Sequence, residues 1–251
     1  MNMDLFAPIS LAALDSKAKM MTRLDNKYVL SVADFEGLLP AFAQKFDILD
    51  IGGQRSFGYR TCYFDSPMLC SFRHHVQGRR HRSKVRVRHY LDAGLCFLEV
   101  KLKSTRKITV KKRQVHDVQS FSTLSQDARG FVETCHSDMY ARDITTGYAP
   151  VIEMQYDRRT LVAREGGERV TIDMGLHFRG DRRVAAIAEN MMIIETKSRF
   201  GRGLSDTILR KAGHHPVGSC SKYCVGLAAL NRVPRFNKFL PAYRKLLPHY
   251  A

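Results

Sequence analysis

"HRSKVRVRHY" at residues 81–90 places Arg82, Lys84, Arg86 and Arg88 at every second position, with Ser83, Val85 and Val87 between them. Successive side chains of a β-strand point to opposite faces. The stretch therefore predicts a strand with one cationic face and one small or apolar face. An Asp92-Ala93-Gly94 turn follows, a hairpin signal. The next strand, "FLEVKLK" (97–103), sets Glu99, Lys101 and Lys103 against Leu98, Val100 and Leu102. In "TVKKR" (109–113), Lys111 and Arg113 alternate with Val110 and Lys112. "RVTID" (169–173) sets Arg169, Thr171 and Asp173 against Val170 and Ile172. "IIETKSR" (193–199) lines up Glu195, Lys197 and Arg199, and "LDNKY" (24–28) lines up Asp25 and Lys27.

For any one strand, such alternation usually means a solvated face. Repeated on strand after strand with arginine, lysine and isolated carboxylates, it implies more. Helices are expected near 32–44, 68–75, 122–136, 203–213 and 221–233. If they cover the aliphatic faces, the charged faces must meet one another. The expected fold is α+β: roughly eight to nine strands in one antiparallel sheet or closed β-barrel, with peripheral helices. Like charges confined in such an interior repel strongly. A polyanion with a divalent cation would neutralise them, because guanidinium and ammonium groups suit phosphate oxygens and carboxylates suit hard cations.

Bulk composition agrees. The 251 residues carry 41 Lys and Arg against 24 Asp and Glu, a net charge of +17, which predicts an anionic partner. Apolar residues make up 44%, enough for a core. Cys62, Cys70, Cys96, Cys135, Cys220 and Cys224 form no C-x-x-C pair. That argues against structural zinc and for a reduced, cytoplasmic setting. The N-terminal stretch is a poor signal peptide, and no apolar run is long enough to predict a membrane span. No RRM, KH or helix-turn-helix signature supports a nucleic-acid partner.

"NKYVL", "YRTCYFDS", "KVRVRHY", "FLEVKLK", "TVKKR", "YDRR", "RVTID", "IIETKS" and "SKY" occur in the order seen in the VTC domain, and the chain resembles that family. The VTC domain is a polyphosphate polymerase domain of the triphosphate tunnel metalloenzyme fold, akin to the CYTH phosphatases. The resemblance implies a tunnel domain over residues 21–230, with an N-terminal lead-in (1–20) and a basic C-terminal tail (231–251). It also implies transfer of the ATP γ-phosphoryl group to polyphosphate with Mn²⁺ or Mg²⁺. Carried over by motif, Lys27, Arg86, Arg88, Lys101, Arg158, Lys197 and Lys222 are the catalytic candidates. Lys84, Lys103, Lys112, Arg113 and Arg159 are further phosphate-binding candidates; either Lys112 or Arg113, and either Arg158 or Arg159, fits the pattern. Glu195, with Glu99 or Asp173, is the metal-binding candidate set.

Two departures matter. Tunnel hydrolases open with E-x-E-x-K, whereas Arg23, Asp25 and Lys27 stand here. A lost carboxylate favours polymerase chemistry over water activation. Ser219 replaces a lysine often found three residues before Lys222. The alternatives are a tunnel triphosphatase and a non-catalytic polyanion-binding module. The basic tail could also meet a membrane surface or a protein partner.

Overall fold

The computed structural model describes residues 1–17, 24–104, 109–141 and 147–247; Arg23 lies outside them. Its strands are β1 (Pro8–Ile9), β2 (Leu24–Ser31), β3 (Phe46–Leu49), β4 (Phe57–Asp65), β5 (Arg82–Tyr90), β6 (Leu95–Lys103), β7 (Thr109–Val115), β8 (Ala149–Ala163), β9 (Arg169–Gly180), β10 (Arg183–Ala186) and β11 (Met191–Ser198). Its helices are α1 (Leu11–Lys17), α2 (Val32–Glu36), α3 (Leu39–Ala43), α4 (Cys70–Val76), α5 (Gln126–Tyr140), α6 (Leu204–Lys211), α7 (Lys222–Ala229) and α8 (Leu240–Leu246). Local signals set the helix starts. Ser31 forms a capping box with Asp34, and the hydroxyls of Ser125 and Ser221 accept from the first turns of α5 and α7. The single helix expected over 32–44 is split, with Pro40 in the first turn of α3, where its missing N–H costs nothing.

The strands form one 11-stranded sheet whose main path is β2-β11-β9-β8-β4-β5-β6-β7. It is antiparallel throughout apart from the short β1–β3 pair. The expected closed barrel is not formed: among the described residues, β2 and β7 are the two ends of the path and do not pair. The edge strands offer a physical reason. Each carries cations, Lys27 on β2 and Lys111 and Arg113 on β7, and like charges set opposite one another disfavour pairing. The sheet still curls, so that Lys101 on β6 lies within electrostatic reach of Glu195 on β11 and Lys27 on β2.

Helices cover the convex side, as the aliphatic faces require. Val85, Val87, Leu98, Val100 and Leu102 pack with Ala128, Val132 and Cys135 of α5. Tyr28, Leu30, Ile172 and Ile194 pack with Phe35 of α2, Phe42 of α3 and Leu209 of α6. Each fully buried Val, Leu or Ile contributes about 1.5–3 kcal/mol, which fixes the strand register.

The concave side has two halves, a division the strand alternation does not announce. On β9 the inward set runs Arg169, Thr171, Asp173 and then changes phase at Gly175, whose φ is +59°. At this point Tyr156 of β8 interrupts the ladder register. A left-handed glycine suits such a bulge. Beyond it Leu176 and Phe178 turn inward and join Ile152, Met154 and Ile193 in packing around α7. Ala242, Tyr243 and Leu246 of α8, within the expected basic tail, are buried in the same cluster. One end of the concavity is thus plugged by helices, and the other keeps its ionic lining.

Candidate functional site

The ionic half is built by strand register. On β5, Arg86 faces Glu99 of β6, and Arg88 stands beside Thr61 of β4. On β11, Glu195 lies opposite Lys27 of β2 and Thr171 of β9. On β8, Arg158 lies opposite Asp173 of β9. Each carboxylate bridges two cations. Glu99 accepts from Arg86 Nε at 2.7 Å and from Lys111 Nζ at 2.7 Å. Asp173 accepts two Arg158 bonds at 2.6 and 2.7 Å and a third from Lys222 at 2.5 Å. Glu195 meets Lys27 at 2.8 Å and Lys197 more loosely at 3.8 Å.

These contacts set the electrostatics. Burial raises the Glu99 and Asp173 carboxyls, but the adjacent cations outweigh it and hold both well below the usual range. Glu195 behaves likewise through Lys197 and Lys27. Burial brings the Lys197 ammonium down to about 7, with Glu195 opposing. Burial also raises the Tyr63 phenol, but Arg86, Arg88 and Lys84 overcome it and bring it to about 8.

Among the described residues, other cations in the groove have no carboxylate within ion-pair distance. Arg88, 7% exposed, donates from Nε to Thr61 Oγ1 at 3.3 Å and from an NH2 group to Tyr156 OH at 3.0 Å. Lys84 donates to Ser221 Oγ at 2.8 Å, at the start of α7. Among the described residues, neither these two nor Lys101 has an ion-pair partner. The buried Thr171 hydroxyl has no hydrogen-bond partner either.

The structure therefore brings together Lys27, Lys84, Arg86, Arg88, Glu99, Lys101, Arg158, Asp173, Glu195, Lys197 and Lys222. Lys103 and Arg113 lie on the same face of their strands, and Arg113 stacks 4.8 Å over Phe97. Two candidates are corrected. Lys112 belongs to the convex face, where it pairs with Asp138 of α5 at 2.7 Å. Arg159 also points outward, its NH1 lying 3.0 Å from Met174 Sδ. Alternation decides both cases: Lys111 and Arg113 flank Lys112, and Arg158 takes the inward position. The site residues carried over by resemblance leave out Lys111, Thr61 and the inward tyrosines. The parity of "TVKKR" already puts Lys111 on the charged face. The hydroxyls of Tyr63 and Tyr156 accept from Arg86 and Arg88.

Among the described residues, no three His, Cys, Asp or Glu side chains group closely enough to hold a metal by themselves. The oxygens of Glu99 and Asp173 are taken up by cations, whereas Glu195 keeps one loosely held oxygen. That fits a magnesium-like ion, which is often held by one or two carboxylates plus substrate phosphates and water. Among the described residues, no helix is long and apolar enough to cross a membrane.

The fold and site define a curled, open antiparallel sheet with a cationic concave face, plugged at one end by helices. The VTC domain family profile matches residues 22–231, and the chain belongs to that family. Among solved structures, the chain resembles HpAC1 of Hippeastrum, a candidate adenylyl cyclase described as having dominant triphosphatase activity. The two share 15% identity over 82% of this chain and 96% of that one, with a TM-score of 0.51, which establishes likeness of fold. The PH1819 protein of Pyrococcus horikoshii matches at 13% identity over 83% and 98% of the two chains, with a TM-score of 0.48. No curated protein sequence matches the chain.

Proposed function

We propose that the groove is a phosphotransfer site that moves the γ-phosphoryl group of ATP onto a polyphosphate chain. The observation that carries this reading is Arg88. It is a buried guanidinium whose direct partners are two neutral hydroxyls, with Glu99 acting on it only through space, and a buried charge with no carboxylate in contact is costly. A phosphate oxygen supplies the missing charge in the bidentate form a guanidinium prefers.

The chain's own residues do the positioning. Arg86, Arg88 and Lys101 hold phosphates along β5 and β6. Arg158 and Lys222, fixed by Asp173, face the transferred group. Lys27 and Lys197 flank Glu195, which would hold the Mn²⁺ or Mg²⁺. When bound, that ion would neutralise charge on the phosphate oxygens. The terminal oxygen of polyphosphate attacks the γ-phosphorus; the bond from that phosphorus to the β–γ bridging oxygen breaks, and ADP departs. The nucleophile is already anionic, so no general base is needed. Catalysis then rests on alignment and charge stabilisation.

The test is to incubate the pure protein with ATP and Mn²⁺ and resolve the products on a polyphosphate gel. Long chains together with ADP support the proposal. Orthophosphate without long chains would assign the groove to triphosphate hydrolysis instead.

A further inference from the structure

The concave lining changes character at the end away from α7. There Tyr59 stacks on Tyr156 with centroids 5.4 Å apart and planes 8° apart, and it meets Tyr90 at 5.0 Å. Tyr90 in turn meets Phe97 edge to face at 6.0 Å. Register extends this step outward: Leu95 lies opposite Tyr90, and Val115 opposite Phe97. Leu95 is 53% exposed and Val115 79%, while Tyr59, Tyr90 and Phe97 are half-buried. Guanidinium groups lie directly on the step: Arg158 sits 5.0 Å and Arg88 5.4 Å over Tyr59, and Arg113 sits 4.8 Å over Phe97.

An accessible apolar and aromatic rim has no use for phosphates, which the ionic wall already suits. It does suit a flat heterocycle, because every base has a π-face that stacks on aromatic side chains. Resting on the phosphotransfer reading above, we infer that Tyr90 and Phe97, with Leu95 and Val115 at the edge, seat the base of a nucleoside triphosphate. The phosphates of that ligand run inward toward Arg88 and Arg86. The rim makes the end of the groove away from α7 the nucleotide mouth, while the Lys84 end of β5 meets the start of α7.

The test compares ATP with methyl triphosphate, which carries the same phosphates without a base, by calorimetry on the full chain. The unaltered protein is expected to bind ATP about tenfold more tightly. Tyr90→Leu and Phe97→Leu keep apolar bulk and remove the π-face. Each is expected to weaken ATP about tenfold and to leave methyl triphosphate within about twofold, which also verifies that the variant is folded. Equal affinities in the unaltered protein, or parallel weakening of both ligands in the variants, would overturn the base site and leave the phosphate site standing. Failure of the unaltered protein to bind either ligand would overturn both.

Discussion

Glu195 lies directly across the β2–β11 ladder from Lys27, and their side chains meet at 2.8 Å on the concave face, with Lys197 on the carboxylate's other side. The arrangement leaves one Glu195 oxygen loosely held among cations. Glu195→Gln keeps the shape and removes the charge. Metal-dependent product formation from ATP should fall about a hundredfold, whereas tripolyphosphate binding measured with chelator present should be retained or strengthened. Unchanged turnover by the variant would remove the metal from this residue.

Lys197 supplies a pH signature. Its ammonium, brought down to about 7 mainly by burial, is charged below that value and neutral above it. Triphosphate affinity should therefore weaken as pH rises through about 7. Lys197→Arg stays charged throughout. The ratio of unaltered to variant affinity, which cancels titration of the ligand, should decline from about pH 6 to about pH 8. A flat ratio would show that this ammonium does not contact the anion.

Asp173 is fully buried and holds both Arg158 and Lys222. Asp173→Asn strands two buried cations and should cost about 3–5 kcal/mol in urea unfolding. An anion can replace the lost charge. Tripolyphosphate should therefore raise the variant's melting temperature more than it raises that of the unaltered protein.

Neighbouring lysines on β7 test the parity of the groove. Lys111→Ala removes a concave cation and should weaken tripolyphosphate binding by about two- to fivefold in titration. Lys112→Ala acts on the convex side, beside Asp138, and should change binding by less than about twofold. The reverse order would place the groove on the wrong face of the strand.

Gly226 lies in α7 where the plug meets the sheet. A Cβ there would stand 2.5 Å from Phe178 and 2.6 Å from Ile152. Gly226→Ala should destabilise by about 1–3 kcal/mol through overpacking, seen as a lower urea midpoint with an unchanged slope.

Much of the site is legible in the chain because strand alternation is a local rule. Arg86 and Arg88 on one strand, and Glu99 and Lys101 on the next, share faces whatever the rest of the molecule does. The same rule, followed strictly, separates Lys111 from Lys112. What alternation cannot supply is a change of phase. Gly175 turns the inner face of β9 from Asp173 to Leu176, and nothing in "DMGLHF" distinguishes such a bulge from a turn. The aromatic step of Tyr59, Tyr90 and Phe97 is likewise spread over three strands, so no single motif displays it.

By itself the sequence determined the repeating ionic face, the aliphatic face opposite it, the helices that cover the latter and the resemblance to the VTC domain, because each depends on side-chain periodicity or on short ordered motifs. Tertiary structure alone decided that the sheet stays open between β2 and β7, that α7 and α8 fill one end of the concavity, and that Arg88 touches hydroxyls rather than a carboxylate. Those outcomes depend on which strand ends meet and which charges face one another across the curl, and such distances are set by the packing of the whole chain.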